Sequence, residues 1–378
     1  MADTGREDGR LWIDSLYNRV GRQNLLNWYN ILSIFSGIAL LLAFSAFSHY
    51  LGYPEWEGNN IIVILSMSLI LILLFLGIPY VMNRSRYAFS FPGSHEPGPS
   101  NNEALKSLES RFNQKKDRNI IIILVILPFL FLNIIAILQS GTIFYGKGGT
   151  SAALLLDIIN YGAGYLILYL FAIVLWIVYV ISETLRDIRE TPLRNTIPVD
   201  VNAIDNLGGL GALQEFILAF LTYYFVIVAL LILSYLPPGG IWSYEMLFVV
   251  IVFLTGIFFF LPNLGAIRKL VRGKIMEMDG KINKCVKDER DRIQQLLSDP
   301  TTPETTNEVS RIQNLITFYQ DQHTHLQELY KNNPAFSIRT IAQSFAALLL
   351  PVLAFMIEVT SQISTLMATV QGWLPPPP

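Results

Sequence analysis

The sequence predicts an all-helical membrane protein that crosses the bilayer several times. Of the 378 residues, 52% are hydrophobic and only 15% are charged, whereas charged residues make up about a quarter of an ordinary soluble domain. Several windows run for about 20 residues without a charge, the length at which a helix crosses a hydrocarbon layer ~30 Å thick. Basic residues are concentrated between these windows, on one predicted side of the membrane.

Seven apolar segments are predicted to be membrane helices. The bilayer offers no water to unpaired backbone groups, so we expect long apolar runs to satisfy their hydrogen bonds internally as helices. The segments cover residues 30–49, 60–82, 119–141, 153–182, 213–236, 241–263 and 340–360. The first six pair into three transmembrane helical hairpins, and the seventh is a C-terminal membrane helix followed by a Pro-rich outer tail that completes 340–378.

The basic residues predict the orientation of these segments, because loops rich in Lys and Arg stay on the cytoplasmic side. Four basic residues precede the first segment, seven lie in loop 83–118, three in loop 183–212 and twelve between Arg268 and Arg339. The remaining one, Lys147, lies between the third and fourth segments. We therefore expect a multi-pass protein of the cell membrane, plasma or inner, with a cytoplasmic N-terminus and an outer C-terminus.

Two stretches are predicted to be amphipathic helices at the membrane surface. In residues 1–29, Trp12, Leu16 and Val20 recur at helical spacing, which is typical of a cytoplasmic interfacial segment. In loop 83–118, one helical face carries the apolar residues Ala104, Leu105, Leu108 and Phe112. We interpret this second helix as one that orients the third segment. Alternatively, the basic residues Lys115, Lys116 and Arg118 bind anionic lipid.

Residues 264–339 predict a cytoplasmic helical hairpin. A charged helix, which can continue directly from the sixth segment, precedes a turn at residues 299–304. Its apolar positions are Ile275, Met278, Ile282, Val286, Ile293 and Leu297. After the turn, a seam with one polar member, His323, recurs three and four residues apart at Val309, Ile312, Ile316, Tyr319, His323, Leu326 and Tyr330. This spacing indicates an antiparallel coiled coil, and we expect a cytoplasmic protein partner to bind it.

Polar residues inside the apolar segments are candidate functional residues, since placing them in hydrocarbon is costly. Asn133, Asp157, Asn160 and Glu358 all fall in the predicted outer halves of their segments. Their acidic members predict a mouth that attracts cations. Alternatively, Asp157 and Glu358 lie close enough to the interface to be hydrated.

The seventh segment carries a face of small or polar residues at helical spacing. This face contains Ser344, Ala347, Pro351, Ala354 and Glu358. Small faces let membrane helices approach closely, so the pattern predicts a packing surface. The same face turned toward a symmetry axis of a homo-oligomer would line a pore.

The sequence contains no pattern typical of catalysis or cofactor binding. The ring of His325 points away from that of His323, because residues two apart lie on different helix sides and do not share a metal. A single cysteine, Cys285, excludes an internal disulfide, and a net charge of -2 gives no attraction to nucleic acid. We therefore expect no enzyme, cofactor or metal site.

Three functions fit this architecture. The first is an oligomeric cation channel around the seventh segment, gated by the cytoplasmic hairpin. The alternative is a membrane-anchored signalling or scaffold protein that recruits a cytoplasmic partner. The second alternative is a secondary transporter, which the uncharged central thirds of the first six segments disfavour.

Overall fold

The computed structural model is helical throughout the residues that it describes. These are residues 28–51, 59–90, 101–140, 151–190, 211–234, 244–298, 303–331, 342, 345–357 and 360. The helices are α1 (Trp28–Leu51), α2 (Asn59–Phe89), α3 (Asn101–Phe112), α4 (Lys115–Ser140), α5 (Ser151–Glu190), α6 (Gly211–Ser234), α7 (Tyr244–Ser298) and α8 (Pro303–Lys331). A further apolar helix, α9, covers Phe345–Ile357. The predicted surface segment before Trp28 and the Pro-rich tail lie outside the described residues.

Three stretches are long and apolar enough to cross a membrane: Ile64–Phe89, Tyr161–Ile188 and Gly211–Ser234. Shorter apolar helical stretches cover Asn30–Ala43, Phe248–Phe260 and Phe345–Ile357. The all-helical class predicted from the sequence is confirmed over the described residues, and these three stretches are candidate membrane spans by length and composition. The number of spans and their orientation stay predictions.

Helix α5 forms the centre of the bundle and packs against α1, α2, α3, α4 and α7. Its middle is buried on every side, because Leu170 through Val174, Trp176 and Ile177 are all inaccessible to solvent. A helix that is apolar all round is expected to be enclosed in this way. Helix α6 lies between α2 and α7, against both of which it packs.

Glycines allow the closest approaches between neighbouring helices. A methyl group at Gly37 of α1 would overlap the Ile72 side chain of α2. Methyl groups at Gly77 and Gly256 would overlap the rings of Tyr223 and Tyr224, both on α6. Dispersion contacts hold apolar helices together more strongly where backbones come close, so these positions tighten the bundle.

The amphipathic helix α3 packs against protein. The apolar face predicted from its sequence is found buried, with Ala104, Leu108 and Phe112 inside the main hydrophobic cluster. This face meets α5 and α2. Loop 83–118 therefore contributes a docked helix to the bundle.

Helix α7 is 55 residues long and leaves the bundle without a break, although it contains Pro262. Helix α8 packs along the C-terminal half of α7, where Met278 and Ile282 also pack against the main hydrophobic cluster. Asp279 of α7 contacts His323 of α8, and Arg292 of α7 contacts Glu308 of α8. Residue numbers rise along α7 as they fall along α8, so the two helices are antiparallel. We call this pair of helices the α7–α8 hairpin, and the end of the bundle from which it extends the hairpin end.

Candidate functional site: the hairpin end of the bundle

For the polar candidates in the apolar segments, the structure describes at most the position in a helix. Asn133 lies in α4, and Asp157 and Asn160 lie in α5, but their side chains are outside the described part of the chain. Ser344 and Glu358 also lie outside the described residues. An acidic mouth built from these side chains stays a prediction.

The described members of the small face of the seventh segment, Ala347, Pro351 and Ala354, are buried inside the single chain. Ala347 and Ala354 are 2% and 4% exposed and belong to the main hydrophobic cluster, and Pro351 is buried beside them in sequence. Large apolar side chains such as Phe345 and Met356 point outward instead. A face that lines a pore between subunits must be open in one subunit. The burial of Ala347 and Ala354 is the arrangement of a packing face.

A network of charged groups joins α3 to α5 at the hairpin end. The Arg111 guanidinium donates to Asp187 Oδ2 through Nη2 at 2.6 Å and through Nε at 3.2 Å. Arg111 also lies 3.8 Å from Glu183, and Ser107 Oγ donates to Asp187 Oδ2 at 3.4 Å. Arg186 pairs with Glu183 from the solvent side at 3.7 Å. The network fixes α3 along the last two turns of α5.

Half burial makes this network more effective than a surface ion pair. The side chains of Arg111, Glu183 and Asp187 are between 21% and 29% exposed. Exposed pairs typically stabilise by about 0–1 kcal/mol, and charge-assisted hydrogen bonds away from full solvent contribute more. Sequence reasoning did not identify these partners, because Arg111 and Asp187 are 76 residues apart.

A second polar contact ties α7 to α5 where α7 leaves the bundle. Asn263 Nδ2 donates to Ser182 Oγ at 2.6 Å. Asn263 directly follows Pro262, whose missing N–H removes one backbone hydrogen bond of α7. The contact therefore supports α7 at its weakest turn. A Pro-Asn pair directly after a long apolar run is the only signal in the sequence for this position.

Two consecutive tyrosines fasten α6 to both of its neighbours. Tyr224 Oη donates to the Val252 carbonyl of α7 at 2.7 Å, and Tyr223 Oη donates to the Leu73 carbonyl of α2 at 3.0 Å. Each acceptor lies four residues before one of the glycines that make room for these rings, Gly256 and Gly77. Because the glycines lack side chains, each hydroxyl reaches a helix carbonyl that is normally covered. Both hydroxyls are satisfied inside an apolar bundle, where an unpaired one is costly.

Aromatic packing completes the α6–α7 contact. Phe260 of α7 lies with its ring centroid 5.4 Å from Phe220 and 5.5 Å from Tyr224. About two turns earlier in α7, Phe253 contacts Phe225, the residue after Tyr224, at a centroid distance of 5.6 Å. Offset and edge-on pairs of this kind add to the burial of apolar area. These contacts hold the part of α7 from Phe253 to Phe260 against α6.

The α7–α8 hairpin is packed through side chains predicted from the sequence. Ile312 is 3% exposed, and Val309, Ile316 and Tyr319 are half-buried. The predicted positions Ile275, Leu297, Leu326 and Tyr330 have side chains outside the described set. The knobs-into-holes geometry of a coiled coil stays a prediction.

Polar groups also take part in the hairpin contact. His323 Nδ1 lies 2.5 Å from Asp279 Oδ1, and its Nε2 lies 2.9 Å from the amide of Gln327. Arg292 pairs with Glu308 at 2.8 Å nearer the tip. Asp279 did not appear among the predicted contact residues, because a search for apolar spacing passes over a carboxylate.

The chemistry at the hairpin end is that of structural ion pairs and hydrogen bonds. Across the described ranges, no group of three His, Cys, Asp or Glu side chains is placed to hold a metal ion. The arrangement fixes α3, α5 and α7 relative to each other and presents the hairpin. Comparison of the chain with protein-family models, with curated proteins and with solved structures finds no match.

Proposed function

We propose that this protein is a membrane-anchored scaffold that presents the α7–α8 hairpin to a cytoplasmic protein partner. The observation that carries the proposal is the continuity of α7, a single helix from the apolar bundle to the hairpin tip. At about 1.5 Å per residue, the part after Pro262 is roughly 54 Å long. A partner bound along it would be held at a defined distance from the membrane.

The outer surface of the bundle supports the membrane anchor. Large apolar side chains are exposed in rows on α1, α4 and α9, where a soluble protein would place polar ones. Exposed apolar area of this extent is typical of a surface that contacts lipid. The concentration of basic residues in and around the hairpin supports a cytoplasmic position for it.

The hairpin surface supports the partner-binding role. Among its outward side chains, Phe318 of α8 is 56% exposed and lies next to Tyr319, with a centroid distance of 5.9 Å. Asn314 and Asp321, each about one turn from Phe318, are exposed and polar, whereas the apolar Leu315 is half-buried. A large exposed aromatic group within a polar surface is the type of residue that dominates binding energy in protein interfaces.

The cation-channel alternative receives less support from the bundle. Ala347 and Ala354 face the interior of their own chain, so a path lined by this face would require α9 to leave the core. The scaffold proposal requires no such movement. The secondary-transporter alternative gains no specific support from the described contacts.

Proximity biotinylation tests the scaffold proposal, with the ligase fused to the N-terminus of the full chain in living cells. Phe318→Asp should abolish labelling of the bound protein without changing the membrane level of the scaffold. Thr317→Asp is the matched control, because Thr317 is exposed on the same helix and receives the same charge. A labelled set that is identical for both variants and the wild type would contradict the proposal.

Liposome flux separates the scaffold from the channel. Purified full-length protein reconstituted at known density should pass no more monovalent cation than protein-free liposomes. Flux above that background that is lost in Ala354→Leu would favour the channel.

A further inference from the structure

Helix α4 exposes one continuous stripe that changes from basic to apolar. Lys116, Ile120, Ile123 and Leu127 follow each other three and four residues apart, so they share one face. Lys115 and Lys116 are both exposed, and Leu124 beside the stripe is 66% exposed. The charge therefore ends one turn before the exposed apolar surface begins.

The rotation of α4 about its axis is fixed by packing. Val125 and Phe129 on its opposite side are buried against Leu168 and Ala172 of α5. Phe129 also meets Phe248 of α7 edge-on, at a centroid distance of 5.1 Å. The basic-to-apolar stripe consequently points away from the protein.

The depth of the two lysines is fixed by the junction of α3 and α4. Gln114 N donates to the Arg111 carbonyl at 3.0 Å, and Arg118 N donates to the Gln114 carbonyl at 3.4 Å. Arg111 itself is held by Asp187. Because α3 is docked on α5, the start of α4 cannot slide along the bundle.

Lys115 and Lys116 also differ from Arg111 in their ion pairs. The charge of Arg111 is used by Asp187 and Glu183. No ion pair joins Lys115 or Lys116 to a carboxylate in the part of the chain that the structure describes. Among the described residues, no carboxylate therefore neutralises either exposed ammonium group.

The distance along α4 places these ammonium groups at the depth of lipid phosphates. Lys116 and Ile120 are four residues apart, which is about 6 Å of helix, and the flexible lysine side chain lets the ammonium group stay at that height. Each headgroup layer is about 5–8 Å thick. The ammonium groups thus reach past the first exposed isoleucine into the headgroup layer.

We propose that Lys115 and Lys116 form a binding surface for anionic glycerophospholipids in the leaflet at the hairpin end. The inference rests on the proposed membrane placement of α4 and adds a lipid preference to it. A two-fold contact between copies through this surface is unfavourable, because it would bring two more lysines against these two. An anionic leaflet supplies the opposite charge beside the apolar stripe.

Lipid competition in reconstituted vesicles tests this surface. A bimane label is attached to Asn119→Cys, an exposed position between the lysines and Ile120, in full-length protein that carries Cys285→Ala. Spin-labelled phosphatidylcholine quenches the label, and unlabelled phosphatidylglycerol is added to displace it. The relief of quenching gives the affinity of phosphatidylglycerol relative to phosphatidylcholine at this position.

Each lysine near an anionic surface contributes about 1 kcal/mol, or roughly fivefold in affinity. Lys116→Gln should lower the relative affinity about fivefold, and Lys115→Gln with Lys116→Gln should remove most of the preference. The matched control is Lys284→Gln with Lys287→Gln, two exposed lysines on the hairpin, which should leave the preference unchanged. Lys115→Arg with Lys116→Arg keeps the charge and should keep the preference.

Four results would overturn the inference. Equal displacement by both lipids in the wild type, or an equal loss in the hairpin control, would refute the lipid preference alone. Absence of quenching by any lipid would instead refute the membrane placement of α4. Inorganic phosphate and chloride are also compared as competitors at equal ionic strength. If phosphate displaces more phosphatidylglycerol than chloride does, the lysines form a site for free phosphate and the lipid surface is refuted.

Discussion

Gly256 is the position at which a single methyl group should damage the bundle most specifically. Its added Cβ would overlap the ring of Tyr224 and press on Phe225. Tyr224 is fully buried, and its hydroxyl is bonded to the Val252 carbonyl, so the ring has no free direction in which to move. Overpacking of this kind costs about 1–3 kcal/mol, and the better helix propensity of Ala returns up to about 1 kcal/mol.

A double-mutant cycle isolates this contact. We expect Gly256→Ala to lower the free energy of unfolding by about 1–2 kcal/mol in the wild type. In a Tyr224→Ala background, which itself costs about 3–5 kcal/mol, the same change should cost nearly nothing because the ring is gone. The coupling energy between the two positions should therefore be about 1–2 kcal/mol.

Equilibrium unfolding of full-length protein in mixed dodecyl maltoside and SDS micelles measures these differences. Gly162→Ala is the matched control, since a Cβ there has no heavy atom within 4 Å, and it should not destabilise the protein. Gly77→Ala should fall between the two, because the Tyr223 ring that it meets is only half-buried. A Gly256→Ala cost that persists in the Tyr224→Ala background, or one no larger than that of Gly162→Ala, would refute the reasoning.

Three further changes test other contacts of the fold. Asp187→Asn should weaken α3 docking by about 1 kcal/mol, seen as faster hydrogen exchange in residues 101–112, whereas Arg186→Gln on the solvent side should leave that exchange unchanged. Ile312→Ala should raise hydrogen exchange across α8, because it should destabilise the hairpin by about 2–4 kcal/mol. Arg292→Gln, which removes an exposed ion pair, should destabilise it by only about 0–1 kcal/mol. The reverse order would show that charge pairs hold the hairpin. Ala354→Leu should lower thermal stability through overpacking at a buried site, while Leu353→Ala on the exposed side should not; equal effects would contradict a packing role for this face.

The sequence predicts the helices well because helix formation in apolar segments is a local property. Uncharged runs identified the apolar helices, and the spacing of Ala104, Leu108 and Phe112 identified the face of α3 that the structure buries. The charged composition beyond residue 264 also allowed α7 to continue as a helix, as it does to Ser298.

The contacts between helices could not be predicted, because they depend on distances that spacing along the chain does not report. The sequence shows two tyrosines and two glycines in apolar segments. It does not show that Tyr224 of α6 meets Gly256 of α7. The pairing of Arg111 with Asp187 required the docking of α3 on α5. The small face of α9 was recognised, yet packing and pore lining produce the same sequence pattern, and only the burial of Ala347 and Ala354 favours packing.

The central claim is that α7 carries the hairpin out of the membrane on the cytoplasmic side, and the single native cysteine tests it directly. Cys285 is exposed on α7 within the hairpin, so the unmodified protein already has its probe. A membrane-impermeant maleimide should leave Cys285 unlabelled in intact cells and label it after permeabilisation. Lys147→Cys in a Cys285→Ala background should be labelled in intact cells, which shows that the reagent reaches the outer face. Labelling of Cys285 in intact cells would contradict the orientation and, with it, the presentation of the hairpin to a cytoplasmic partner.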